Sequence, residues 1–222
     1  MQLMDELFHL GTPEISDALD ACGIEGALLG ISPLLSKMKL VGPVFTVKYL
    51  AYAERPDEFS GAGNYIDEVP PNAVIVIDNQ GRNDCTTWGD ILTQVAIIKN
   101  IAGTVVHGAV RDVEFIKKVK YPLFSKSIYM RTGKNRVYKA WHQQQLNINN
   151  VTVNPGDILI GDDNGVVIIP KNLLEEIIVK AKNIKANEQK IIESVSKGLS
   201  LEEARTKYHY NKPWIERRDE HP

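Results

Sequence analysis

Two oppositely charged residues stand side by side at the end of an apolar run. The segment Gly108-Ala109-Val110-Arg111-Asp112 follows Thr104-Val105-Val106 and His107, and precedes a helix-like stretch from Val113 to Val119. A short β-branched run ending at glycine reads as a buried strand leaving the core, and Asp112 fits the first turn of the following helix. At such an exit a guanidinium can stabilise a developing oxyanion, while a carboxylate offers a hard oxygen to a divalent cation. A simpler reading also holds at this level: Asp112 caps its helix and Arg111 pairs with a surface carboxylate.

A second candidate lies 22 positions earlier, at Trp88-Gly89-Asp90. Ile91, Leu92, Val95 and Ile98 recur at helical spacing from there, so the first backbone N–H groups, Gly89 to Leu92, lack intrahelical partners and suit a carboxylate or phosphate. Asp90 either joins that chemistry or caps the helix itself, and Trp88 either walls a pocket or packs. Asp90, Asp112 and Glu188 together make the sparse carboxylate set that Mg²⁺ or Mn²⁺ accepts while keeping several waters. The five histidines, His9, His107, His142, His209 and His221, show no zinc-hydrolase spacing. His107, beside Arg111, reads either as a proton carrier or as a structural residue. No nucleophile-elbow, P-loop or dinucleotide-binding motif is present. Metal-assisted chemistry on a small carboxylate is what remains.

The elements that must position these groups form a β-α-β unit. Ala73-Val74-Ile75-Val76-Ile77, closed by Asp78, has the continuous apolar character of a strand buried on both faces of a parallel sheet. A loop, Asn79 to Trp88, then the helix from Gly89, lead to the strand introduced by Gly103. Parallel strands bring the loop before Gly89 and the turn at Arg111 to one carboxyl edge. Upstream, Thr12-Pro13-Glu14 reads as an N-cap, a proline at the first helical position and a first-turn acid. Leu40 to Val47 reads as a strand, and Tyr49 to Pro71 as a long irregular loop. Downstream, Asp162-Asp163-Asn164-Gly165 turns a hairpin, and its two acids are turn residues with no catalytic role. A long amphipathic helix, Leu173 to Val195, carries Ile177, Ala181, Ile184, Ile191 and Val195 in one stripe, and Glu188 interrupts it. A carboxylate there faces a polar site or has a partner, because burying it alone is costly. Ser200-Leu201-Glu202-Glu203 is a capping box for a last short helix. The expected organisation is one α/β domain over residues 1–205 and a tail over 206–222.

Composition narrows the function classes. With 222 residues, 43% of them apolar, the chain can bury a sizeable core. A net charge of -2 from 26 basic and 28 acidic residues gives no electrostatic reason to expect nucleic acid or an anionic membrane as partner. Cys22 and Cys85 form no C-x-x-C pair, which fits a reducing compartment. Neither an export signal nor a membrane span is expected, and the reading is cytoplasmic.

These segments also resemble a known family in order and spacing. Ser16-Asp17-Ala18-Leu19, Val41-Gly42-Pro43, Trp88-Gly89-Asp90, Gly108 to Asp112, Pro155-Gly156-Asp157 and Asp163-Asn164-Gly165-Val166-Val167 are similar to the RraA-like family, from about Leu10 to Arg205. That family holds 4-hydroxy-4-methyl-2-oxoglutarate and 4-carboxy-4-hydroxy-2-oxoadipate aldolases, and regulators of ribonuclease E activity. The resemblance implies a swivelling β/β/α fold with a β-α-β core and a C-terminal helical segment, assembled as homotrimers or homohexamers with sites between subunits. It further implies that amides matching Gly89, Asp90, Ile91 and Leu92 hold the pyruvate part of a 2-oxo acid, contacted by Arg111. Asp112 would bind Mg²⁺ or Mn²⁺ directly, with Asp90 and Glu188 of a neighbouring subunit acting through water. Such a site would cleave a 4-hydroxy-2-oxo acid to pyruvate and a second oxo acid, and would also decarboxylate oxaloacetate through the same enolate. The alternative is a non-catalytic regulator that binds ribonuclease E, and the acid retained after the arginine, Asp112, favours the enzyme. His107 stands where aspartate is common in the family.

Overall fold

The computed structural model describes residues 2–54 and 63–210. Helices α1 (Gln2–Phe8) and α2 (Thr12–Asp20) lead into strands β1 (Ser32–Pro33) and β2 (Leu40–Ala51). A 3-10 turn at Asn64–Glu68 precedes β3 (Val74–Thr86), α3 (Asp90–Ile98), β4 (Gly103–Val110), α4 (Val113–Lys118) and β5 (Leu123–Ile128). There follow β6 (Val137–His142), the hairpin of β7 (Leu146–Ile148) and β8 (Val151–Val153), and the hairpin of β9 (Ile158–Asp162) and β10 (Gly165–Ile169). The long helix α5 (Leu174–Ser196) and the short helix α6 (Leu201–Lys207) complete the described chain.

Eight strands form one mixed sheet in the order β1-β5-β4-β3-β2-β9-β10, with β6 also on β2. Strands β2 to β5 run parallel, and β1, β6 and β9 pair antiparallel. The β3-α3-β4 crossover and the C-terminal helices are the α/β architecture expected from the sequence. Alternation along the parallel strands divides the core between two faces. Val47, Ile75, Ile77, Val106 and Val110 pack with Ala96 of α3 and Ile116 of α4 on one face. Val44, Val74, Val76, Val105 and Phe124 pack with Leu146, Val153 and Leu159 on the other. A third cluster seats α2 and α5 on the β9–β10 hairpin through Ile15, Leu19, Ile160, Ile169, Ile177 and Ala181.

Three local expectations are corrected. The segment Asn79 to Trp88 is mostly strand, not loop, because β3 continues to Thr86. Left-handed Gln80 (φ 56°) and Gly81 (φ 67°) are absorbed as a bulge, after which Arg82 and Thr86 resume pairing with Gly108 and Ala109. Tyr49 to Pro71 is likewise not one loop: β2 runs through Ala51, and Asn64–Glu68 form the 3-10 turn. Residues 55–62 of that segment, and 211–222 of the expected tail, lie outside the described residues. Thr12 does not cap α2, whose N-cap is Gly11. Its amide and hydroxyl both donate to Asp162, at 2.8 and 2.7 Å, tying the helix to the β9–β10 turn. The Ser200–Glu203 capping box forms as expected.

A row of charges crosses the sheet at the carboxyl ends of three neighbouring strands. Lys48 of β2 is in register with Asp78 of β3, and Asp78 with His107 of β4. Asp78 is 2% exposed and takes an ion pair from Lys48, a contact of 2.9 Å with His107 Nδ1 and a 2.7 Å hydrogen bond from the Gln80 amide. Burial pushes the Asp78 carboxyl up, but the hydrogen bonds from His107 and Lys48 outweigh it and hold the group below the ordinary aspartate value of 3.8. By strand parity the row shares a face with Val76 and Val105, so it lies across the sheet from α3 and α4. His107 is thus a structural partner of Asp78, resolving the two readings of that histidine. The Asp78→Ala variant, which strands Lys48 without its partner, is expected to lose about 3–5 kcal/mol in urea unfolding at neutral pH. A depressed carboxylate stabilises fully above its unfolded pKa and loses that contribution as pH falls through the folded one. The gap between wild type and variant should therefore hold at pH 5–8 and close below about pH 4.

Candidate active site

The β4–α4 turn and the N-terminus of α3 meet at the carboxyl edge of the sheet, as the crossover requires. Arg111 N donates to the Trp88 carbonyl at 3.1 Å, which fixes one turn against the other. Trp88 is 2% exposed, and its indole N–H donates at 2.9 Å to Thr93 Oγ1, whose hydroxyl donates at 2.8 Å to the Gly89 carbonyl. Trp88 therefore both packs in the core and walls a pocket.

Asp112 does not cap its own helix. It is the N-cap residue of α4 but makes no side-chain cap there, and its backbone is left-handed (φ 58°, ψ 34°). That conformation costs a non-glycine residue about 1–2 kcal/mol, least for Asn and Asp. It turns the carboxylate toward the neighbouring helix, where Asp112 Oδ2 accepts a 3.0 Å hydrogen bond from Asp90 N. Arg111 Nε lies 3.3 Å from the same oxygen. Asp90 Oδ1 in turn accepts a 2.8 Å bond from Ile91 N. Two amides expected to hold a substrate anion are thus occupied by the protein's own carboxylates. Those carboxylates stand where an oxyanion would be favoured by the helix dipole and the unpaired amides. Among the described residues, the amides of Gly89 and Leu92 are left without a hydrogen-bond partner.

Gly89 makes this approach possible. A Cβ there would fall 2.4 Å from Asp112 Oδ2, closer than side chains tolerate, and 3.3 Å from Arg111 Nε, a tight contact.

Gly89, Asp90, Ile91, Leu92 and Arg111 line one side of a cavity of about 490 Å³. Its other walls come from Trp88, which the sequence offered as a pocket wall or a packing residue, and from Tyr49, Ile66, Thr87, Gly133 and Val137, which the sequence did not single out. The 132–137 segment and the β2 end have no local feature that marks them as walls, because only the sheet order places β6 beside β2.

The donor set suits a divalent cation that keeps several waters. Asp112 and Asp90 each have one carboxylate oxygen in a hydrogen bond to an amide, leaving the second for a ligand, and such cations take one or two carboxylates. Among the described residues no group of three or more His, Cys, Asp or Glu converges to hold a metal. Glu188 is not part of the cavity within one chain. It sits half-buried on α5, and partial burial, then the nearby Asp17 and Glu14 carboxylates of α2, raise its pKa. The carboxylate in the apolar stripe therefore meets like charge from its own chain.

Gly89→Ala is expected to push Asp112 out of this arrangement and to weaken pyruvate binding at least about tenfold, a loss of about 1.4 kcal/mol, by isothermal calorimetry in the presence of Mg²⁺. Unchanged affinity in a folded variant would show that the close approach of the two turns is irrelevant to anion binding.

The comparisons with known proteins bear on the same residues. A family model described as aldolase/RraA (RraA-like) matches residues 12–168, a span holding both turns. The chain is 53% identical over 213 residues to protein DlpA of Legionella pneumophila, covering 96% of this chain but 35% of that protein, so it spans about a third of that relative's length. A Halalkalibacterium halodurans protein provisionally named 4-hydroxy-4-methyl-2-oxoglutarate aldolase is 33% identical over 177 residues, 79% of this chain and 80% of its own. The crystal structure of an uncharacterised protein from Pseudomonas syringae pv. tomato superposes with a TM-score of 0.87 at 40% identity, covering 93% of this chain and 94% of that one. With its sheet order, its two opposed turns and this match over most of its length, the chain belongs to the RraA-like (aldolase/RraA) family.

Proposed function

We propose that the chain is a divalent-metal-dependent carbon–carbon lyase that cleaves 4-hydroxy-2-oxo acids, releasing pyruvate. The observation that carries this reading is the convergence of Arg111 and Asp112 on the N-terminus of α3, where the protein's own carboxylates already occupy two amides. The aldolase name of a relative 33% identical to the chain supports it.

In this reading the substrate's C1 carboxylate and C2 oxygen take the places of those carboxylates on the amides of residues 89–92. The C3–C4 bond breaks, and its electron pair passes to the enolate of pyruvate, with the negative charge on the C2 oxygen. Arg111 is the fixed positive charge beside that oxygen, and its backbone bond to Trp88 preorganises it. The proton leaving the 4-hydroxyl ends on C3, so the products balance without a co-reactant. Asp90, whose carboxylate lines the same cavity, is the basic group in reach of that transfer. Asp112 would hold Mg²⁺ or Mn²⁺ directly, with Asp90 and Glu188 of a neighbouring subunit in a trimer or hexamer acting through water. Bound there, the cation supplies Lewis-acid stabilisation of the enolate. Oxaloacetate decarboxylation would pass through the same enolate and use the same residues.

Pyruvate release, followed by coupling to lactate dehydrogenase, tests the reading on the intact protein with Mg²⁺. Arg111→Ala is expected to lower kcat/KM by about 10²–10³, and Asp112→Ala to abolish turnover. Exhaustive EDTA treatment should remove activity and added Mg²⁺ or Mn²⁺ restore it. Full activity after chelation would sink the metal-dependent mechanism, and full activity in both variants would sink the site.

A further inference from the structure

The charge row on the far face of the sheet does not end at His107. Ser125 of β5 is in register with Val106 of β4, so Lys126 comes beside His107 and carries the Lys48–Asp78–His107 row onto a fourth strand. The β3 bulge leaves the space between them open. Gly81 is left-handed (φ 67°), and the Cβ it lacks would fall 2.9 Å from Lys126 Nζ and 3.0 Å from His107 Nε2. The two nitrogens therefore lie less than about 6 Å apart, beside a residue that puts no side chain between them.

Both nitrogens have hydrogen-bonding capacity to spare. The imidazole Nδ1 is committed to Asp78, while Nε2 has no hydrogen-bond partner among the described residues. The side chain is 10% exposed, and Nε2 is not one of the polar atoms buried without a partner, so solvent reaches it. Lys126 is exposed and makes no ion pair among the described residues. Lys48 is paired with Asp78, and Arg82 with Asp84, which leaves the Lys126 charge uncompensated by these neighbours. His107 gains a second N–H on protonation, and with the Asp78 carboxylate behind the ring and an anion in front of it the imidazolium is stabilised from both sides. A carboxylate–imidazole pair also orients metal-ligating histidines in other proteins. Here an ammonium stands beside the free nitrogen, and among the described residues no group of three or more His, Cys, Asp or Glu converges to complete a metal site.

We infer that Gly81, His107 and Lys126 form a binding site for a small oxyanion, a carboxylate or a tetrahedral group such as sulfate, on the face of the sheet away from the cavity. An oxygen of the ligand accepts from Lys126 Nζ and from the protonated His107 Nε2, and the ligand rests against the bare Cα of Gly81. Both contacts are charge-assisted hydrogen bonds. Two such bonds at a partly exposed position give a dissociation constant on the order of millimolar. The occupant ties the β3 bulge to β4 and β5. None of the three residues lines the cavity, so the site does not depend on the lyase reading.

Sulfate and acetate are the probes, titrated into the intact protein carrying nitrogen-15 histidine, with ionic strength held constant by chloride. The readout is the imidazole spectrum, in which His107 is assigned by its loss in His107→Gln. The His107 Nε2 resonance should move saturably with sulfate, with a midpoint on the order of millimolar, while the exposed His9 shows no saturable shift. Lys126→Gln should weaken binding at least about tenfold and Lys126→Arg should retain it. Gly81→Ala, which leaves both charges in place and fills the gap between them, should also weaken it at least about tenfold. Should Gly81→Ala fail to fold, the exposed Lys126→Gln decides alone. Arg111→Ala should leave the His107 response unchanged; its loss there would overturn a site separate from the α3 N-terminus. Sulfate binding several-fold tighter than acetate marks a tetrahedral occupant and equal binding a carboxylate, and either result supports the site. A His107 shift that never saturates, or one that persists undiminished in Lys126→Gln, means an adventitious ion only and overturns it. So does Zn²⁺ alone moving His107 at lower concentration than sulfate.

Discussion

The hydrogen bond from the Asp90 amide to the Asp112 carboxylate couples two turns that are 22 residues apart in the chain. It requires three independent conditions. Gly89 must lack a side chain, Asp112 must accept a left-handed backbone, and Arg111 must lie alongside to share the same oxygen. As an exposed ion pair the Arg111–Asp112 contact adds little stability, because solvent screens charges that are more than a third exposed. Its importance is positional: it fixes the Arg111 guanidinium beside the N-terminus of α3, on one side of the cavity.

What makes that coupling dependable is the rigidity of the sheet beneath it. The parallel strands β3 and β4 present both turns at one edge, and the crossover helix α3 packs between them through Ala96. On the opposite face, the Lys48–Asp78–His107 row locks the register of three strands at their carboxyl ends. A buried carboxylate with partners on two neighbouring strands disfavours a slipped register, because slippage would leave charges unpaired. His107 thereby serves the scaffold on the face away from the cavity. The bulge at Gln80 and Gly81 lets β3 pass this row and continue to Thr86, delivering Thr87 and Trp88 to the cavity wall.

The two halves of the molecule treat carboxylates differently. At the α3 N-terminus acids are compensated by amides and Arg111. On α5, Glu188 faces Asp17 and Glu14 of α2 and is held up in pKa by burial and by those like charges. An acid so placed is costly to its own chain, which agrees with a role completed by a neighbouring subunit under the proposed function. Asp162, also acidic and partly buried, is by contrast satisfied by Thr12 and Asn164 and by an ion pair with Lys39, and ties the hairpin to the start of α2.

Much of this was legible in the residues. The apolar run closed by Asp78, the helical spacing after Gly89, the Asn164-Gly165 hairpin turn and the Ser200–Glu203 capping box each depend on interactions within a few positions. Local backbone sterics and periodicity suffice to specify them. Those signals also placed Arg111 and Asp112 at a strand exit beside a helix start. Tertiary structure alone decided where the side chains point and what faces them. Asp112 reaches the neighbouring helix rather than its own, a polar Asn79-to-Asp84 segment stays in the sheet as a bulged strand, and Tyr49 and Val137 become the floor of the cavity. None of these follows from local pattern, because each is fixed by strand order and register, which bring together residues up to 88 positions apart, as Tyr49 and Val137 are.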